Sequence, residues 1–259
     1  MQGMYAIYRK ELGHYFVSPV AYVVVGIFVF VCALVFNFSA RQVVQQSVQM
    51  QMQGMSQAMD LPSQVLQGYF MFLATLLLFL TPMLTMGVYA EERKRGTMEL
   101  LMTSPVTELQ VVSGKFLAAF TMFVAMLLPT VVPVIFLYFC SDPHFPIKIV
   151  AASYLGALLI GASLMALGTF ISSLTENQII AAVLTFAVFL LVWIIDILIP
   201  SGTSAAVVTV MTYFSVIRPF QDFVRGVINT SSLIYYLSFI AFFIFLTVRS
   251  VDSMRWRRA

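Results

Sequence analysis

Pro19-Val20-Ala21-Tyr22-Val23-Val24-Val25-Gly26-Ile27-Phe28-Val29-Phe30-Val31-Cys32-Ala33-Leu34-Val35-Phe36-Asn37-Phe38 runs from the first proline without a single charge. As a helix rising 1.5 Å per residue it is about 30 Å long, the thickness of a bilayer's hydrocarbon layer. Five further runs share its character: Gly68 to Val88, Phe116 to Phe139, Ile149 to Ile171, Gln178 to Ile199 and Leu233 to Val248. The last is the shortest, but uncharged residues extend it back to Gly226. Composition agrees, since 61% of the chain is hydrophobic and 10% charged, at a mean hydropathy of +0.95. A water-soluble domain is nearer about half apolar, so the solvent here is lipid.

The sequence therefore predicts an all-α integral membrane protein with six transmembrane helices in one domain, residues 1–259. Its expected parts are an interfacial helix (1–18), spans one and two (19–88), a cytoplasmic loop (89–115), spans three to five (116–199), an outer re-entrant segment (200–232), and span six with a tail (233–259). An even number of spans puts both termini on one side. With the N-terminus inside, the inner segments carry Arg9, Lys10, Arg93, Lys94, Arg95, Lys115, Arg249, Arg255, Arg257 and Arg258, and the outer ones carry Arg41, Lys148, Arg218 and Arg225. Basic residues gather on the cytoplasmic side, so both ends are expected there. The net charge of +3 is too small to suggest nucleic acid, and its clusters beside apolar runs suit lipid headgroups. Cys32 and Cys140 lie in or beside apolar runs and read as packing residues rather than a disulfide or metal pair. Met1 to Phe16, interrupted by Arg9, Lys10 and Glu11, does not read as a cleavable leader.

Outside the spans, Tyr5, Tyr8, Leu12, Tyr15 and Phe16 recur at helical spacing opposite Arg9, Lys10, Gly13 and His14. The pattern fits a helix lying in the inner interface, with a solvated leader as the alternative. His14 and His144 have no second ligand at metal-binding spacing. In the outer loop Arg41 to Gln67, the thioethers of Met50, Met52, Met55 and Met59 suit either Cu(I) or, more simply, irregular apolar packing. Asp196, within the fifth span, is about 6 Å from its outer end and reads as a carboxylate reaching the interface rather than an ion site. Ala152, Gly156, Ala157, Gly161 and Gly168 form a small-residue stripe for close helix packing in the fourth span. Between Pro200 and Ser232, Ala205 to Met211 is too short to span, and a Pro219-initiated segment follows. There Arg218, Asp222 and Arg225 stand at ion-pairing spacings, so a helix pair dipping into the outer leaflet is expected, with an exposed amphipathic loop as the alternative.

The longest stretch both polar and cytoplasmic is Glu91-Glu92-Arg93-Lys94-Arg95-Gly96-Thr97-Met98-Glu99-Leu100-Leu101-Met102-Thr103-Ser104-Pro105. Gly96 is placed to end one helix and Thr97 to cap a short new one, while Ser104 and Pro105 restart the chain toward the third span. Met98, Leu100 and Leu101 would form an apolar knob ringed by charge, suited to a groove on a soluble partner. An ordinary charged loop is the alternative and leaves this residue order unexplained.

With Tyr89 and Ala90 before it, this stretch resembles the coupling-helix segment of type-2 ATP-binding-cassette (ABC) permeases, and within them the GldF/NosY-like branch of gliding motility and nitrous-oxide-reductase maturation. Met4-Tyr5-Ala6-Ile7-Tyr8-Arg9-Lys10-Glu11-Leu12, followed by Ser18-Pro19, is similar to that branch too. The resemblance implies a six-span permease of the cell inner membrane that pairs with a second permease half, the same chain or a related one, and with a cytoplasmic ABC ATPase dimer. It also implies an ATPase interface at Glu91, Glu92, Arg93, Gly96, Thr97, Met98, Glu99, Leu100, Leu101 and Pro105, and re-entrant outer helices around Arg218, Pro219, Asp222 and Arg225. No cofactor is expected on this chain; ATP and Mg belong to the partner.

Gly114-Lys115 is followed by Phe116 where a phosphate-binding loop needs Ser or Thr, and position 109 is Leu where it needs Gly. ATP hydrolysis is therefore assigned elsewhere, and neither a catalytic triad nor a zinc motif is in a plausible context. The remaining alternatives are a membrane enzyme, an ion-coupled carrier and a non-transporting subunit of a membrane complex.

Overall fold

The computed structural model describes residues 2–53, 60–98, 106–141, 145–194 and 215–256, and these are helical with short connections. Helix α1 spans Gln2–Val17, α2 Pro19–Met52, α3 Leu61–Thr85, α4 Gly87–Arg95 and α5 Glu108–Leu127. A 3-10 turn at Leu128–Thr130 leads into α6, Val131–Cys140, followed by α7 Ile147–Leu174, α8 Gln178–Ile194, α9 Ile217–Val224 and α10 Thr230–Trp256. Five helical runs are long and apolar enough to cross a membrane: Ala21–Met52, Leu61–Arg95, Glu108–Cys140, Ile147–Leu174 and Thr230–Ser253. The sixth, α8, is apolar but shorter within the described residues, and its expected continuation to Ile199, with Asp196, lies outside them.

Helix boundaries differ from expectation where local caps decide them. Helix α2 continues to Met52, so Arg41 to Met52 is not loop, while Met55 and Met59 lie outside the described residues. Helix α3 begins at Leu61, upstream of Gly68, because Asp60 accepts the Ser63 backbone N–H and Pro62 stands in the first turn. Helix α5 begins at Glu108 rather than Phe116. A capping box fixes this start: the Thr107 side chain takes the Gln110 N–H while the Gln110 side chain takes the Thr107 N–H. The expected Ser104–Pro105 restart lies outside the described residues.

Helix α7 is the centre of the bundle, packed against α3, α4, α5, α8, α9 and α10. Its small-residue stripe makes this possible. A Cβ added at Gly161 would stand 2.2 Å from the Phe123 ring of α5, at Gly168 2.3 Å from Thr85 Oγ1 of α3, and at Gly156 2.7 Å from Phe223 Cβ of α9. Backbones approach to distances no side chain permits. By contrast α2 leaves Tyr22, Ile27, Phe30 and Leu34 exposed, a face that suits lipid.

The α3–α4 break has an identifiable cause. Pro82 cannot donate a helical hydrogen bond, and the path resumes after Met86. Ser172 of α7 stitches the gap: its hydroxyl accepts from the N–H groups of Tyr89 (3.2 Å) and Ala90 (3.3 Å) and donates to the Met86 carbonyl at 2.9 Å. All three groups are buried or half-buried, so satisfying them removes a desolvation cost that would otherwise oppose the bend.

Candidate functional site

Helix α4 carries Glu91, Glu92 and Arg93 outward from this break and stops at Gly96, whose φ of 69° is the left-handed conformation that favours glycine. The Thr97 N–H bonds the Glu92 carbonyl at 3.0 Å and the Gly96 N–H bonds the Arg93 carbonyl at 3.2 Å, a Schellman ending. The helix is tied down by Arg93, which donates to the Ser173 carbonyl at 2.8 Å and pairs with Glu176 at 3.1 Å, both at the end of α7. Arg95 pairs with Glu91 one turn back.

The strongest electrostatic feature is a buried lysine. Lys115 of α5, its side chain 1% exposed, stands 2.9 Å from Glu11 of α1 and 3.0 Å from Glu92 of α4. Its ammonium also donates to the Val88 carbonyl at 3.0 Å and lies 5.5 Å from the centre of the Tyr89 ring. Lys10 approaches Glu92 at 3.8 Å, bringing a second cation to that carboxylate. One oxygen of Glu92, Oε2, is buried with no hydrogen-bond partner. Three helices that diverge in sequence are thus fastened at one point by charge.

Under this junction, between α1 and the α3–α4 break, is a cleft of about 400 Å³. Leu84, Met83, Met122 and Met126 form its apolar wall, and Glu11, His14, Glu91 and Arg95 its polar mouth. The Tyr15 hydroxyl donates to the Leu84 carbonyl at 2.9 Å. Burial, reinforced by Glu11 and Glu91, holds that phenol well above its ordinary pKa, so it is a fixed donor. Tyr8 meets Thr121 of α5 at 3.1 Å, completing the seat of α1 against the bundle.

Several expected site residues are placed here: Glu91, Glu92, Arg93, Gly96 and Thr97 share α4 and its cap. Met98 requires a correction, because at 6% exposure it belongs to this chain's own apolar core and not to an outward knob. Glu99, Leu100, Leu101 and Pro105 lie outside the described residues. At the opposite end of the bundle, α9 starts at Ile217 and not at Pro219. Ser215 Oγ accepts the Arg218 N–H at 3.2 Å, and Pro219 falls within the first turn, where a missing N–H costs nothing. Nor does any ion pair among the described residues join Asp222 to Arg218 or Arg225; Asp222 accepts from Ser232 Oγ at 3.1 Å because the start of α10 lies against it.

Lys115, Glu11 and Ser172 were not anticipated as site residues. The signal for Lys115 is present in the sequence: Val111, Val112, Ala118, Ala119 and Met122 share its helical face, and all are buried. A lysine on such a stripe must find carboxylates.

The architecture defines a multi-pass, all-α membrane protein whose ordered charges concentrate at one end of the bundle. The family model described as "ABC-2 family transporter protein" matches residues 5–251, and the chain belongs to that family. It is thereby a transporter membrane domain of the ABC class. No match is found among curated proteins.

Proposed function

We propose that this chain is the permease subunit of an ABC transporter in which a separate cytoplasmic ATPase dimer, holding ATP and Mg, drives transport or export through the segment Glu91 to Pro105. Both termini lie in the cytoplasm of an inner-membrane protein, and a second permease half, the same chain or a related one, completes the pathway. The residue order of Tyr89 to Pro105 supports the GldF/NosY-like branch.

One observation carries this reading: the Lys115 ion pairs fasten α1, α4 and α5 at Glu92, near the start of the proposed docking segment. A push on that segment acts on α4, whose Schellman ending and Arg93 ties make it a short rigid lever. The lever moves α1 and α5 through Lys115 and α7 through Ser172. No catalytic group is needed for this role.

The test is co-purification of the ATPase and transport-linked ATP hydrolysis in membranes. Leu100→Asp would leave an unpaired charge in the docking groove and should abolish both, whereas Glu99→Ala, a rim change, should reduce them little. Unchanged binding and hydrolysis in a normally inserted Leu100→Asp variant would exclude the segment as the docking site.

A further inference from the structure

At the end of the bundle away from Lys115, the helices α2, α3 and α9 enclose an open groove of about 460 Å³, within the range of ligand sites. Ser18, at the start of α2, lines the junction cleft, and Gln42, farther along the same helix, lines this groove. They are separated by about 36 Å of helix at 1.5 Å per residue.

The lining has an unusual chemistry. Helix α2 contributes Gln42 and Gln46, α3 contributes Gln64 and Gln67, and α9 contributes Gln221, with Arg225 at its C-terminal cap. Within each helix the residues are three or four apart, so each helix turns one polar face to the same space. None of the five carboxamides makes a side-chain hydrogen bond to another described residue. Among the described residues of the lining, Arg225 is the one ionised group.

A carboxamide presents a donor and an acceptor side by side, which is what a pair of neighbouring hydroxyls requires. A guanidinium suits a phosphate or carboxylate in the same ligand. Val43, Met71 and Val224 supply apolar surface beneath these groups. We infer that the groove binds an anionic polyol: a phosphodiester or carboxylate bearing neighbouring hydroxyls, with Arg225 on the acid and the glutamines on the hydroxyls. A membrane lipid headgroup and a soluble sugar phosphate share this chemistry. Placement of the groove on the outer face rests on the proposed topology, but the binding itself does not.

The full-length protein, purified in neutral detergent, is titrated with phosphatidylglycerol and with phosphatidylcholine, and bound lipid is counted by native mass spectrometry. Phosphatidylglycerol should bind about tenfold more tightly, and Gln64→Leu with Gln221→Leu should remove about that factor, the effect of a few lost hydrogen bonds. Arg225→Gln should weaken both lipids, since both carry the phosphodiester, and leave the preference for phosphatidylglycerol in place. Gln45→Leu with Gln49→Leu adds the same apolarity on α2 outside the groove and should change nothing. Soluble glycerophosphoglycerol is the competitor that separates sources: displacement assigns a soluble ligand, and persistence of the bound lipid assigns a membrane one. Equal binding of the two lipids by the unaltered protein, or equal loss in the control pair, overturns the proposal; size-exclusion profiles exclude misfolding as the cause.

Discussion

Lys115 Nζ and Glu92 Oε1 are 3.0 Å apart, with the lysine side chain 1% exposed and the glutamate 16% exposed. Glu11, 104 positions from Lys115 in sequence, completes the triad at 2.9 Å. Replacing the lysine leaves two largely buried carboxylates facing one another without the cation between them. Lys115→Met should therefore destabilise the protein by about 3–5 kcal/mol, the usual effect of breaking a buried pair from one side. Adding Glu11→Gln and Glu92→Gln removes the repulsion and should recover most of that loss. Thermal unfolding in detergent reads both variants, and a Lys115→Met protein as stable as the unaltered one would show that the triad does not fasten the helices.

The two arginines of α4 separate a structural tie from a surface pair. Arg93 is largely shielded and bonds the Ser173 carbonyl, whereas Arg95 is 65% exposed on its side chain and meets Glu91 within its own helix. Arg93→Ala should cost about 1.5–3 kcal/mol, the value of a hydrogen bond to a charged group, and loosen α4 from α7. Arg95→Ala should stay within about 0.5 kcal/mol, as exposed helical pairs do. Hydrogen exchange across Gly87–Arg95 provides the reading, and equal protection in the two variants would contradict the assignment.

The bundle was legible in the sequence because lipid imposes a simple rule: about 20 apolar residues per crossing, with basic residues held to one side. The small-residue stripe of α7 was legible for the same reason, since glycine at helical spacing has few uses other than close packing. The charged junction was not. Lys115 looked like one more interfacial cation, and its carboxylates come from helices whose docking no local pattern specifies. The α5 start is set by Thr107 and Gln110, a capping pair that the apolar pattern of the span does not mark. Met98 was misread because apolarity in a polar segment does not say whether the core that receives it is this chain's or a partner's.

Gly161 gives a steric prediction with its own rescue. A Cβ there would meet the Phe123 ring at 2.2 Å. Gly161→Val should cost about 1–3 kcal/mol or more by overpacking, and pairing it with Phe123→Ala should restore part of the loss by vacating the space. Thermal unfolding of the single and double variants measures the coupling, and strictly additive losses would show that α7 and α5 do not meet at this point.

The orientation in the membrane follows from charge and is testable by labelling. Cys32 is buried, but Cys140 is exposed at the end of α6, so a Cys140→Ser background is required before any cysteine is introduced. Thr97, beside the α4 cap, and Gln49, near the end of α2, are both exposed and lie toward opposite ends of the bundle. With ten basic residues on the Thr97 side and four on the other, counted from the sequence, the positive-inside rule puts Thr97 in the cytoplasm. Lys115 is too deeply buried to act as a headgroup partner in the folded state, which leaves nine against four and does not change the sign. In intact cells a membrane-impermeant maleimide should modify Gln49→Cys and spare Thr97→Cys, and permeabilisation should expose both. Modification of Thr97→Cys from outside would invert the topology, turn the segment from Glu91 to Pro105 away from any cytoplasmic ATPase, and move the glutamine groove to the inner face.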